Sequence, residues 1–238
     1  MNKRILIVKN IKHEGSGLLK KALSDHDIAS TYVDLSSGEL IPDPRNFNAL
    51  AVLGGPQSAN DESPSMLHQL KQIEKTLLEE IPYLGICLGM QTLVKAGGGK
   101  VVQCIEKESG FFDSGGNAYR VELTSSGKED PLFNGMDDSF PVFQLHGETV
   151  ELAPIGMELL ATGNVCKNQA VKVGSRAYGL QCHFEMTDTM FTQWIGIDAD
   201  LKRLNPVTLS KQFESIRKEY TETGLRLMNN FLSISGLA

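Results

Sequence analysis

Aromatic residues make up only 7% of the 238-residue chain, and cysteine occurs just four times, as Cys87, Cys104, Cys166 and Cys182. None of these cysteines forms a CxxC pair or clusters with histidine at zinc-finger spacing, which speaks against a disulfide framework or a structural metal. Positive charge is also scarce. With a formal charge of −6, the chain is poorly suited to holding phosphate backbones or anionic lipid, so neither nucleic acid nor membrane is an expected partner. No apolar run reaches the length of a membrane span, and the start MNKRILIVKN lacks the apolar stretch of a signal peptide, so a cytoplasmic location is expected. Repeats, low-complexity tracts and Pro/Ser-rich linkers are missing as well. The expectation is one domain over residues 1–238, with a C-terminal helical extension at about 206–234.

What is present alternates. RILIV at residues 4–8 reads as a strand, and residues 16–25 as a helix with Ser16 as N-cap and Leu18, Leu19, Ala22 and Leu23 at helical spacing. ASTYVDL reads as a second strand. Ala49 to Leu53 forms a third, running into the turn Gly54-Gly55-Pro56. Pro64 opens a helix carrying Leu67, Leu70, Ile73, Leu77 and Leu78, and Pro82 ends it before YLGIC. This alternation predicts an α/β fold with a mostly parallel central sheet and helices on both faces, its active loops at the carboxyl ends of the strands. From about residue 100 to 182 the runs KVVQCI, AYRVEL, ELLAT, AVKVG and AYGLQC predict a smaller β-rich portion. Helix returns at Pro206, with Phe213, Ile216, Tyr220, Leu227 and Phe231 as apolar contacts. Gly97-Gly98-Gly99 reads as a helix terminator; no P-loop Lys-Ser/Thr pair follows it, and no cofactor is expected.

YLGICLGMQ places Cys87 between an apolar run and a helix start, with Gly85 and Gly89 two positions to either side. A nucleophile on a tight strand-to-helix turn needs such small neighbours, and the helix N-terminus favours a thiolate. The short pattern alone fits a small buried residue ending a strand equally well. GLQCHFEMT adds a second feature. On an extended chain His183 and Glu185 point the same way while Phe184 faces away, so a carboxylate can orient an imidazole. Both features end strands of one parallel sheet, which favours a Cys-His-Glu relay over a chance surface pair. After another strand, the Gly55 amide can join the Leu88 amide as an oxyanion hole.

The ordered blocks LGGPQS, LGICLGMQ, FQLHGETV and GLQCHFEMT resemble the class I glutamine amidotransferases, particularly the glutaminase domain of GMP synthase and its stand-alone relatives, over roughly residues 4–190. The resemblance implies a flavodoxin-like α/β architecture. It implies Cys87 as nucleophile, His183 as base and then acid, Glu185 orienting His183, and Gly55 and Leu88 as oxyanion hole. It also implies that Gln91, Gln144, Leu145 and His146 bind substrate, without metal. The activity implied is hydrolysis of the glutamine side-chain amide through a γ-glutamyl thioester, with release of ammonia. Phe184 and Glu148 depart from the family's usual proline and aspartate.

No SGG-type ATP-pyrophosphatase motif is present, so the chain is expected to be either one subunit of an assembly, with an ammonia-accepting synthase as partner, or a free-standing hydrolase. A homo-oligomer is compatible with the same reading. Two alternatives remain at this level: a γ-glutamyl peptidase or hydrolase, whose pocket rim is expected from residues 106–120 and 190–205, and a non-catalytic regulatory protein of the same fold.

Overall fold

The computed structural model describes residues 3–238. In chain order the elements are β1 (Arg4–Lys9), α1 (Gly17–Asp25), β2 (Ala29–Asp34), β3 (Ala49–Val52), α2 (Pro64–Leu78), β4 (Tyr83–Ile86), α3 (Leu88–Ala96) and β5 (Lys100–Gly110). There follow β6 (Arg120–Leu123), α4 (Ser125–Glu129), β7 (Ser139–Pro141), β8 (Gln144–Glu151), β9 (Met157–Gly163), β10 (Ala170–Val173), β11 (Ala177–Leu180), α5 (Asp188–Ile197) and α6 (Pro206–Ile234).

A nine-stranded sheet runs in the order β2-β1-β3-β4-β11-β10-β9-β6-β7. Its first five strands are parallel, and the rest continue antiparallel from β11. Side chains alternate across this sheet, which decides where each helix lies. Ile5 and Ile7 pack with α1, α5 and α6 on one face, while Leu6 and Val8 pack toward Ile73 of α2 and Leu93 of α3 on the other. The α/β architecture expected from the alternation is therefore present. The β-rich middle divides in two. Most of it extends the main sheet, whereas β5 and β8 pair separately as a two-stranded sheet over α3, with a register break between Gln103 and Glu108.

Three local expectations are corrected. Leu67 and Leu78 are exposed, because the buried stripe of α2 runs through Met66, Leu70 and Ile73 instead. Ser16 makes no side-chain cap on α1; its hydroxyl meets Tyr32 Oη at 2.7 Å. The strand β8 and the helix α5 went unrecognised, since QLHGETVE and DTMFTQWIGI show neither clean alternation nor a clear apolar stripe. No helix among the described residues is long and apolar enough to cross a membrane.

The 29-residue α6 is capped by Asn205, whose side chain accepts from the Val207 and Thr208 amides. Phe213, Ile216, Tyr220, Leu227 and Phe231 all turn inward, as their spacing predicts. Gly224 lets α6 press against the backbone after β11, because a Cβ there would stand 2.2 Å from the Phe184 carbonyl oxygen. Gly17, at φ +43°, does the same for α1 against the Glu185 carbonyl, at 1.8 Å. Gly224→Ala is expected to destabilise the fold by about 1–3 kcal/mol in urea denaturation. Gly196→Ala, in α5 with nothing within 4 Å, is expected to be neutral or slightly stabilising.

Candidate active site

β4 ends at Ile86, and Cys87 turns the chain into α3 with φ 51° and ψ −106°, a conformation that side-chain-bearing residues rarely adopt. The turn depends on its glycines. A Cβ on Gly85 would lie 2.4 Å from the Gly89 carbonyl, and one on Gly89 would lie 2.1 Å from the Val52 carbonyl oxygen. The Cys87 amide donates to Leu180 O at 2.7 Å, tying the turn to the end of the neighbouring parallel strand β11.

Beyond Leu180 the chain continues extended. His183 exchanges backbone hydrogen bonds with Phe143, donating at 2.8 Å and accepting at 3.1 Å. His183 Nδ1 meets Glu185 Oε1 at 2.7 Å, and Glu185 Oε2 accepts from the Phe184 amide at 3.0 Å. Both side chains are buried, and the Trp194 ring stands edge-on to the imidazole at 5.1 Å. Burial alone would drive the imidazole toward neutrality. The Glu185 carboxylate, its hydrogen bond to the ring and the neighbouring Cys87 sulfur overcome this and hold His183 well above its ordinary value of 6.5. Tyr220 of α6 locks the segment from behind, its hydroxyl donating to His183 O at 3.1 Å and accepting from the Met186 amide at 3.2 Å.

Cys87 and His183 open on a cavity of about 620 Å³, whose wall also includes Gly55, Gln91, Leu145 and His146. The Leu88 amide opens α3 and so has no intrahelical acceptor. Among the described residues the Gly55 amide has no acceptor either. Asn10 fixes the glycine loop through Leu53 O at 2.8 Å, and Gln57 through Asn10 O at 3.0 Å. Gln144 behaves differently from its neighbours. It is buried behind the cavity wall, whereas Leu145 and His146 reach that wall. Glu148 also lines the cavity, and its Oε1 accepts from Ser58 at 3.0 Å and Gln103 at 2.9 Å. At the rim, Ile197–Asp200 contribute as expected, and of residues 106–120 only Lys107 does, paired with Asp200. Burial pushes the Cys104 thiol up to about 12 and raises Cys166 and Cys182 as well, so these three stay protonated at neutral pH.

Sequence reasoning missed two residues of this site. Gln181 donates to Cys87 Sγ at 3.7 Å and accepts from Gln91 at 3.4 Å. Its signal was the same alternation that joins His183 to Glu185, extended one step back. Glu14, on the loop after β1, gave no signal at all. Its Oε2 has no hydrogen-bond partner, and it crowds the same point above Gly54 as His183 Cε1, at 2.5 and 3.1 Å from where a Cβ would stand.

Burial, opposed by His183 and reinforced by Glu185 and Asp198, raises the Glu14 carboxyl from 4.5 to about 7. An acid raised by folding contributes its full stability below the unfolded value and loses it as pH climbs through the folded one. Glu14→Gln is therefore expected to match the parent near pH 4.5 and to gain up to about 3 kcal/mol by about pH 8, measured as a shift in denaturant midpoint.

The sequence profile of the family glutamine amidotransferase class-I matches residues 13–195. A glutamine amidotransferase-like protein of Salmonella typhimurium, YfeJ, is 30% identical over 190 residues, covering 77% of this chain and 76% of its own length. The glutamine-hydrolyzing GMP synthase of Porphyromonas gingivalis is 27% identical over 210 residues, covering 87% of this chain but 32% of the synthase. The chain thus spans about a third of that relative's length. The crystal structure of a glutamine amidotransferase from Thermotoga maritima superposes with a TM-score of 0.85 at 27% identity, covering 99% of each chain. With the profile matched over most of its length and the fold shared throughout, the chain belongs to the class I glutamine amidotransferases.

Proposed function

We propose that the chain hydrolyses the side-chain amide of glutamine. The observation that carries this reading is Cys87, whose strained backbone brings its sulfur to the same cavity as His183, an imidazole that Glu185 holds from behind at 2.7 Å. Cys87 Sγ attacks the amide carbon, and the carbonyl oxygen gathers charge against the Gly55 and Leu88 amides. His183 passes its proton to the departing ammonia, leaving a γ-glutamyl thioester. Water then attacks that thioester with His183 as base, releasing glutamate and restoring the thiol. Gln91, Leu145 and His146 face the substrate, and Glu148 supplies the carboxylate for its α-amino group. Gln144 acts as framework for β8 rather than as a contact.

The part of GMP synthase matched here is 32% of its length, which supports a synthase as the acceptor of the ammonia. The reading also takes the chain as one cytoplasmic domain. The second reading, a γ-glutamyl hydrolase, draws on the cavity itself. About 620 Å³ falls within the range that holds drug-sized ligands, leaving room for a leaving amine larger than ammonia.

Cys87→Ala is expected to abolish ammonia release from glutamine. Glu185→Gln is expected to lower kcat by about 10²- to 10⁴-fold with KM little changed, because it removes orientation and charge from His183 without touching the substrate. A panel of glutamine and γ-glutamyl dipeptides, assayed for ammonia and amine release, is expected to give the highest kcat/KM with glutamine. Higher values with the dipeptides would move the assignment to the second reading.

A further inference from the structure

From His146 of β8, which reaches the cavity wall, inward to Glu108 of β5 and Cys166 after β9, three separate parts of the chain converge. Glu108, His146 and Cys166 are 2%, 4% and 6% exposed, and one donor atom from each lies within 4.8 Å of the other two. His146 Nδ1 lies 3.2 Å from the Glu148 carbonyl oxygen and 3.5 Å from Cys104 Sγ, and the shorter contact is to an oxygen that only accepts, which favours the proton on Nδ1. That leaves a lone pair on Nε2.

This lone pair stands 3.1 Å from Glu108 Oε2, yet Nε2 has no hydrogen-bond partner. Two electron-rich atoms this close in a buried place repel unless a proton or a cation lies between them. No hydrogen bond along Nε2–H reaches that oxygen. A metal ion needs no such bond and binds both lone pairs at once. Surrounding groups are arranged as supports for metal ligands commonly are: Thr149 Oγ1 lies 3.1 Å from Cys166 Sγ, and the Gln169 amide lies 3.4 Å from Glu108 Oε2 with its own oxygen unpartnered.

We propose that Glu108, His146 and Cys166 bind one divalent transition-metal ion of the zinc type, a site separate from the Cys87 relay. Thiolate, imidazole and carboxylate together suit zinc and disfavour magnesium or calcium, and three protein ligands leave a fourth position for water or the Gln169 amide oxygen. Binding forms a metal–sulfur bond and releases the Cys166 thiol proton to solvent. The ion would tie β5, β8 and the loop after β9 together beside Leu145, whose carbonyl oxygen lies 3.9 Å from Cys87 Sγ. The inference rests on these contacts and does not depend on the substrate.

Chelator-treated full-length protein would be dialysed against zinc, and separately titrated with cobalt to record the thiolate-to-cobalt absorption band. One zinc per chain is expected, with a cobalt band that persists in Cys87→Ser and disappears in Cys166→Ser. Glu108→Gln, which keeps the thiol and the side-chain shape, is expected to weaken binding by at least about 100-fold while its circular dichroism matches the parent. Failure to bind either ion overturns the proposal. So does a band that survives Cys166→Ser, a band that vanishes with Cys87→Ser, or unchanged affinity in a folded Glu108→Gln.

Discussion

The interaction on which this structure turns is the buried pair between His183 and Glu185. An ion pair withdrawn from water loses its hydration, and mutual attraction alone rarely compensates; the remaining polar atoms must also be satisfied. Here both carboxylate oxygens are occupied, one by the imidazole and one by the Phe184 amide. The surrounding backbone is secured in turn by Phe143 on one side and Tyr220 on the other. α1 and α6 can close over it only because Gly17 and Gly224 remove the side chains that would hold them off. Much of one face of the sheet is thus arranged to enclose two charged groups.

Cys87 is the complementary case, because its burden lies in the backbone rather than in desolvation. A non-glycine residue at φ 51° and ψ −106° costs on the order of 1–3 kcal/mol, which the adjoining glycines and the bond to Leu180 must offset. In return the sulfur leaves the line of β4 and meets groups carried by β11. Parallel neighbours make this convergence reliable, since both strands end at the same edge of the sheet.

How legible the protein was in its sequence varied with the kind of signal. Alternating apolar runs and glycine turns revealed the parallel half, and the period of two placed His183 beside Glu185. Cys87 announced itself through its flanking glycines. Gln181 was readable by the same period, but a lone glutamine suggests no chemistry. Glu14 could not be found, because its importance comes from a loop folding back onto Gly54, and no local pattern encodes that distance. The same holds for Glu108 and Cys166, which no spacing rule connects to His146. Leu67 and Leu78 misled in the opposite direction, since leucine at roughly helical intervals does not say which side of α2 meets the sheet.

α6 carries a consequence for how the protein comes into being. Cys87, His183 and Glu185 all precede this helix in the chain, and the family match ends at residue 195, before it begins. Tyr220 and Gly224 come later. The backing that Tyr220 and Gly224 give to the His183–Glu185 segment therefore forms only once this later helix has been made and has docked.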